Sequence, residues 1–211
     1  MSKNNSEIGK IDEEYIARGK TIIGVDDVGR GCIAGNMYIG FVSFNPLSSY
    51  PGIDDSKKLS KIFKDDEKRF KLDSFIRNNS RHLVMQVSVN QINSGRNLNE
   101  LFRIQFINGL NILTNSMKIN KKDLVVFLDG LDTYDNDLYN IEYRAKFDAL
   151  SYNVAAASII AKNVQVSAMR ELDSKFPDYK FSSHNGYSTD KHREAIKKYG
   201  TCSAHRIDWI K

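Results

Sequence analysis

The order of β-rich and helical segments is the feature that most restricts the fold of this chain. Two β-rich runs, Thr21 to Val28 and Met37 to Phe44, follow each other closely, as in a hairpin, and residues 82–90 predict a third strand. Helical and β patterns then alternate, with a helix at Leu98 to Met117, a buried strand at Leu124 to Leu128, a strand at Tyr139 to Phe147 and a helix at Ala149 to Leu172. Further helices are predicted at 11–19, 60–78 and 189–199. This order predicts an α/β fold in which a mixed sheet carries helices on both faces.

Composition restricts the class of protein and its compartment. A chain of 211 residues with 41% hydrophobic residues is long and apolar enough for one domain with a real core. The net charge of +5 mildly favours a polyanionic partner such as nucleic acid. Cys32 and Cys202 lack metal-site spacing and predict free thiols. The polar N-terminus and the lack of an apolar window of ~20 residues predict a soluble, cytoplasmic protein that does not enter a membrane.

Aspartates follow the apolar strands at the points where ligands usually bind in α/β sheets. Asp26 and Asp27 end the first strand, Asp129 ends the fourth, and Asp148 precedes the long helix. If the central strands are neighbours, these carboxylates converge, and such a cluster either takes up protons or binds a hard cation. Oxygen ligands alone favour magnesium or manganese, and two such ions ~3.5–4 Å apart can hydrolyse a phosphodiester.

A simpler interpretation exists for each aspartate alone, because aspartates at strand ends and helix starts are commonly turn formers or caps. Asp27 is the weakest candidate. Adjacent strand residues point to opposite faces, so Asp26 and Asp27 can share a metal site only where the strand ends.

Six motifs, in order and at suitable spacing, resemble those of a known family. They are GVDDVGRG (Gly24–Gly31) with the following AG, DSKKLS (Asp55–Ser60), LDG (Leu128–Gly130), FDALSYNVAAASIIAK (Phe147–Lys162), HNGYST (His184–Thr189) and KYG…HR (Lys198–Arg206). Over roughly residues 11–209 the chain therefore resembles type 2 ribonuclease H, or ribonuclease HII.

The resemblance implies an RNase H-like fold, with a five-stranded mixed sheet flanked by helices and a small helical C-terminal extension. Residues 1–20 would form a lead with a short helix, 21–175 the catalytic domain, and 176–211 the extension of the same unit. The implied activity is endonucleolytic cleavage of the RNA strand of RNA–DNA hybrids, and incision 5′ of ribonucleotides embedded in duplex DNA. Two-metal hydrolysis with Mg²⁺ or Mn²⁺ would leave a 3′-hydroxyl and a 5′-phosphate. No obligate protein partner is expected, and the chain is expected to be a monomer.

The resemblance also assigns residues. The four acidic metal ligands fall on Asp26, Asp27, Asp129 and Asp148, and the junction-sensing residues fall on Gly29, Arg30, Gly31 and Tyr187. Only the 2′-hydroxyl distinguishes a ribonucleotide from a deoxyribonucleotide, and glycines let the backbone approach it closely. A plain turn and a packed surface tyrosine are the simpler interpretations. Most basic residues suit a solvated helix face, but Lys57, Lys58 and Lys191 are candidates for phosphate contacts.

Five residues depart from the family's pattern. Asp27 replaces a glutamate, so its carboxylate reaches ~1.5 Å less far. Cys32 replaces a proline and Asn185 a lysine, while Gln165 and Val166 replace an arginine and an aspartate. These changes predict a divergent member and leave open a catalytically weak hybrid-binding protein. A type 3 ribonuclease H fits the motifs less well, and a magnesium phosphatase has no motif to support it.

Overall fold

The computed structural model of the chain describes residues 8–45, 50, 52–53, 65–130 and 137–210. In these residues five strands form one sheet in the order β3-β2-β1-β4-β5. The strands are β1 (Thr21–Val28), β2 (Met37–Phe44), β3 (Ser80–Val87), β4 (Leu124–Asp129) and β5 (Ile141–Arg144). β2 is antiparallel to both β1 and β3, whereas β4 is parallel to both β1 and β5. The predicted mixed sheet is therefore confirmed.

Seven α-helices lie within the described ranges. They are α1 (Lys10–Ala17), α2 (Asp66–Asn79), α3 (Val89–Ile92), α4 (Leu98–Met117), α5 (Tyr152–Lys175), α6 (Phe181–His184) and α7 (Asp190–Tyr199). Four short 3-10 helices accompany them, at Lys121–Asp123, Phe147–Ala149, Pro177–Tyr179 and Ile207–Trp209. No helix of the described part is long and apolar enough to cross a membrane.

Some predicted boundaries are wrong for local reasons. The strand predicted at 139–147 is only Ile141–Arg144, because Lys146 has a left-handed backbone (φ 59°) and a 3-10 helix follows. The long helix begins at Tyr152, where the Ser151 side chain accepts the backbone N–H of Val154 as a cap. The strand predicted at 82–90 ends at Val87, because Ser88 caps the next helix. Of the helix predicted at 60–78, residues 60–64 lie outside the described part.

One face of the sheet packs against α4. Ile23 and Val25 of β1 alternate with residues that point the other way, and both are fully buried. They share a hydrophobic cluster with Phe106 and Leu110 of α4. Each such buried side chain contributes roughly 1.5–3 kcal/mol relative to exposure. This cluster fixes the face of β1 on which the odd-numbered residues lie.

The opposite face packs against α5 at close range. A Cβ added at Gly24 would lie 2.2 Å from the carbonyl carbon of Asn153, and one added at Gly40 would lie 2.1 Å from the backbone oxygen of Ala157. The two glycines and the alanines of α5 thus let the helix backbone lie directly on the sheet. This close packing brings the side chains of α5 next to the end of β1.

The C-terminal helices pack on the far end of α5 and on the turn after β1. Met169 of α5, Phe181 and Ala204 form a hydrophobic cluster with Ala34. Ala34 also makes an isolated antiparallel bridge with His205. Residues from both ends of the sequence therefore meet beside the carboxyl end of β1.

Candidate active site

Asp26 and Asp129 lie side by side at the carboxyl ends of neighbouring parallel strands. The β1–β4 pairing runs in register up to Val25 opposite Leu128, so the next residues of the two strands are Asp26 and Asp129. By strand alternation both point to the face covered by α5. The condition under which the sequence brings these two carboxylates together, that their strands are neighbours, is therefore met.

The carboxylate of Asp26 is largely withdrawn from solvent. Its Oδ1 accepts the backbone N–H of Asp27 at 2.7 Å, and the Ser158 hydroxyl of α5 hydrogen-bonds to it. Burial is the largest cause that raises the pKa of Asp26, and the negative charges of Asp129 and Asp27 add to it. Against the lowering effect of these hydrogen bonds, the net pKa is about 8. Asp26 therefore retains a proton at neutral pH unless a cation compensates its charge.

Asp129 connects Asp26 with Asp148. Its carboxylate accepts backbone N–H groups of Lys146, Phe147 and Asp148, which lower its pKa. Burial and the charge of Asp148 raise the pKa more strongly, so the net shift is upward. The loop after β5 thus carries Asp148 to Asp129, and the left-handed Lys146 at its start aims the N–H groups.

Asp27 has a different environment. Pairing of β1 with β2 continues beyond it to Val28 opposite Tyr38, so Asp27 is inside the strand and points to the α4 face. There its Oδ1 accepts from Arg30 Nη2 at 3.1 Å. Arg30 Nη1 donates to Asn99 at 2.7 Å, and its guanidinium carbon lies 4.7 Å from the centre of the Phe102 ring. The structure brings three of the four predicted carboxylates together and directs the fourth to Arg30.

The three clustered aspartates suit a divalent cation in chemistry and in charge. They offer only oxygen donors. The pKa values of Asp26 and Asp129 are raised mainly by burial and in smaller part by neighbouring negative charges, and a cation would offset both effects. Within the described residues, however, no three acidic, histidine or cysteine side chains are already arranged as a metal-holding group. By their chemistry these oxygen donors suit Mg²⁺ or Mn²⁺.

The Gly29–Gly31 turn and the loop that carries Tyr187 are joined by backbone hydrogen bonds. Gly186 O accepts the N–H groups of Ile33 at 2.9 Å and Ala34 at 3.2 Å. A Cβ at Gly186, whose φ is +81°, would lie 2.3 Å from Ala34 O. Tyr187 is 39% exposed next to this junction. Burial and the neighbouring Cys32 raise the pKa of Tyr187, and the charge of Asp27 contributes less.

Three further residues at the site, Ser158, Lys162 and Arg206, had no individual role assigned from the sequence. Lys162 Nζ lies 5.4 Å from the centre of the Tyr187 ring, and burial lowers its pKa. Arg206 is fully buried and donates to the carbonyl oxygens of Arg30 at 3.0 Å and Gly35 at 2.9 Å. All three lie in the sequence motifs described above, and this was the signal from which a role at the site could have been inferred.

Of the three lysines predicted to contact phosphates, only one lies within the described residues. Lys57 and Lys58, with the DSKKLS motif, lie outside the described residues. Lys191 is exposed in the first turn of α7. Both cysteines are free, as predicted.

Comparisons with known proteins agree on one family. The family model described as Ribonuclease HII matches residues 23–211. The curated Ribonuclease HII of Acetivibrio thermocellus is 36% identical over 208 residues, which cover 95% of this chain and 74% of that protein.

Solved structures show the same fold. A chain of the PCNA:RNase HII complex from Archaeoglobus fulgidus superposes with a TM-score of 0.66 at 24% identity, covering 90% of this chain and 95% of that chain. Bst-RNase HIII in complex with Mn²⁺ gives a TM-score of 0.65 at 18% identity, covering 90% of this chain and 67% of that chain. At these identities the structures show the fold alone, which is the predicted RNase H-like sheet.

Proposed function

The chain belongs to the ribonuclease HII family as a divergent member and is a ribonuclease H, and from this premise we propose a specific activity and site. It cuts the RNA strand of RNA–DNA hybrids and incises 5′ of single ribonucleotides in duplex DNA, as the first step of ribonucleotide excision. The observation that carries this proposal is the placement of Asp26 and Asp129 at the carboxyl ends of two paired parallel strands, with the backbone N–H and the charge of Asp148 next to Asp129.

Asp26, Asp129 and Asp148 would hold divalent ions, Mg²⁺ or Mn²⁺, which when bound activate a water molecule and stabilise the leaving oxygen. Asp26 must first release its proton, so metal binding strengthens as pH rises towards 8. Ser158 and the N–H of Asp27 orient the Asp26 carboxylate, and the N–H groups after β5 orient Asp129. Asp27 uses Oδ1 for its ion pair with Arg30, so it would join this set through its other carboxylate oxygen or after release of Arg30.

Recognition of the ribonucleotide is assigned to the joined turn and loop. The backbone of Gly29–Gly31 would contact the 2′-hydroxyl, because no side chain at the glycines prevents close approach. The exposed part of the Tyr187 ring would stack on the following deoxyribose. Contacts from Lys57, Lys58 and Lys191 to phosphates, a monomeric state and a cytoplasmic location stay predictions.

The test uses two substrates, a long RNA–DNA hybrid and a DNA duplex with one ribonucleotide, across titrations of Mg²⁺ and Mn²⁺. We expect metal-dependent products with a 3′-hydroxyl and a 5′-phosphate, cut on the 5′ side of the single ribonucleotide. Lack of incision by folded protein in either metal would refute the proposal.

Asp129→Asn tests the site itself. We expect cleavage to fall by about three orders of magnitude, because a lost metal ligand removes several kcal/mol of transition-state stabilisation. Hybrid affinity should change little, since phosphate contacts dominate it. Asp123→Asn, an exposed aspartate just before the other end of β4, is the matched control and should cleave like the wild type. Equal cleavage by Asp129→Asn and the control would remove Asp129 from the site.

A hybrid-binding protein with weak catalysis is the second candidate. The ion pair of Asp27 with Arg30 favours it, because a positive charge already neutralises one of the four expected carboxylates. Tight hybrid binding without turnover in either metal would establish this second function.

A further inference from the structure

Three of the residues that depart from the family's pattern contact one another beside Tyr187. They are Cys32 after the Gly29–Gly31 turn, Gln165 on α5 and Asn185 before the Tyr187 loop. Cys32 Sγ lies 3.3 Å from Asn185 O, and Gln165 Nε2 lies 3.5 Å from Cys32 Sγ and 3.3 Å from Asn185 O. Positions that are far apart in the sequence have thus become one contact network.

Gln165 is the centre of this network. Its side chain is fully buried, yet both ends of its amide have partners. The Nε2 group donates to Cys32 and Asn185, while Oε1 accepts from Lys162 Nζ at 2.6 Å. A Cβ added at Gly29 would lie 3.1 Å from Gln165 Nε2, so the amide also packs directly on the turn.

The network extends to the tyrosine from two sides. Cys32 hydrogen-bonds to the Tyr187 side chain, and Lys162 lies near the face of its ring. The Asn185 backbone is left-handed (φ 50°), a conformation that asparagine tolerates better than most residues, and this turns its carbonyl towards Gln165 and Cys32. We refer to the contacts of Gln165 with Lys162, Cys32 and Asn185 as the amide bridge.

We propose that Gln165 is a positioning residue whose amide bridge holds the Gly29–Gly31 turn and the Asn185–Tyr187 loop at one separation, so that both contact the same ribonucleotide junction. The inference rests on the proposed function for its consequence, although the bridge itself is a property of the folded chain. A buried amide suits this task because it supplies a donor at one end and an acceptor at the other. An arginine at this position would offer no acceptor to Lys162 and would add a second buried cation next to it.

The consequence for activity differs between substrates. A long hybrid offers many registers at which the strand can be cut, so cleavage tolerates a less fixed separation of the two recognition segments. A single ribonucleotide offers one register, which both recognition segments must hold at once. Loss of the bridge should therefore reduce cleavage at a single ribonucleotide more than cleavage of a hybrid, whereas partial unfolding would reduce both equally.

Two variants separate the halves of the bridge. Gln165→Met keeps the length of the side chain and removes both hydrogen-bonding ends, while Gln165→Glu keeps an acceptor for Lys162 and removes the amide donors. Gln105→Met, at a half-buried position of α4, is the matched control. The ratio of kcat/KM on the single-ribonucleotide duplex to that on the hybrid should fall about tenfold in Gln165→Met and about threefold in Gln165→Glu. It should not change in Gln105→Met.

Hydrogen exchange of the free proteins gives a readout independent of catalysis. In Gln165→Met, amides of residues 32–34 and 185–187 should exchange at least about tenfold faster than in the wild type, and in Gln105→Met they should not. If the wild type cleaves and Gln165→Met retains the wild-type ratio, the inference is wrong and the proposed function stands. If the wild type does not cleave, the proposed function is wrong, and unchanged exchange in both segments would then overturn the bridge as well.

Discussion

Asp26→Asn should stabilise the metal-free protein at high pH. The pKa of Asp26 is raised from 3.8 to about 8 in the folded chain, mainly by burial. The folded state therefore binds the proton more tightly than the unfolded state, and the free energy of unfolding falls as pH rises from about 4 to about 8. A shift of about 4 units corresponds to a ceiling of about 6 kcal/mol. Because Asp26 is half-buried and its neighbours can relax, we expect about 2 kcal/mol.

The assay is urea unfolding of wild type and Asp26→Asn in EDTA at pH 5 and pH 9. Asparagine preserves the shape and an acceptor oxygen for the N–H of Asp27 and for Ser158, so packing is conserved. The unfolding free energy of the variant minus that of the wild type should be about 2 kcal/mol larger at pH 9 than at pH 5. Replacing EDTA by MnCl₂ at pH 9 should cancel most of this gain, because a bound cation stabilises only the protein that keeps the carboxylate. A stability difference that stays constant within about 0.5 kcal/mol between pH 5 and pH 9 would refute the reasoning.

Two further predictions concern the C-terminal part of the chain. Gly186→Ala should lower the free energy of unfolding by about 3 kcal/mol, since the new Cβ meets a backbone oxygen at 2.3 Å. Gly95→Ala, at the same φ of +81° with nothing within 4 Å of the new Cβ, is the control and should cost only about 1 kcal/mol. Thermal melts of both variants check this, and equal losses would contradict it. Burial lowers the pKa of His192 to about 4, so its contribution to stability is present above pH 6.5 and is lost as pH falls towards 4. Between pH 7 and pH 4.5, His192→Gln should therefore lose about 2 kcal/mol less unfolding free energy than the wild type, as measured by urea unfolding. His82→Gln is the control and should lose as much as the wild type. If His192→Gln and the wild type lose stability equally, His192 is not a source of the acid-induced loss.

The sequence was sufficient for the sheet and for the pair of aspartates at its edge. Apolar runs that end in aspartate predict strands whose carboxyl ends meet, and the register of Val25 with Leu128 confirms this for Asp26 and Asp129. The predicted fifth strand was too long, because a periodic pattern carries no information on the left-handed turn at Lys146.

The sequence could not give the orientation of Asp27 or the partners of Gln165. Strand alternation already indicated that Asp27 points away from Asp26. The sequence could not show, however, that Arg30 folds back from the turn onto α4 and pairs with Asp27 there. The loss of an arginine at position 165 indicated a weakened site when each departure was considered alone. The structure shows instead that three of the five departing residues, Cys32, Gln165 and Asn185, are in contact, which only a three-dimensional arrangement can reveal.

The dependence of the Gly29–Gly31 turn on Arg206 has a consequence for synthesis. Arg206 contacts the carbonyl oxygen of Arg30 from 176 positions later in the chain. A nascent polypeptide can complete its central strands well before that guanidinium emerges from the ribosome, and until then the turn lacks its support. We therefore expect the ability to recognise a ribonucleotide to arise only after the acidic residues are in place.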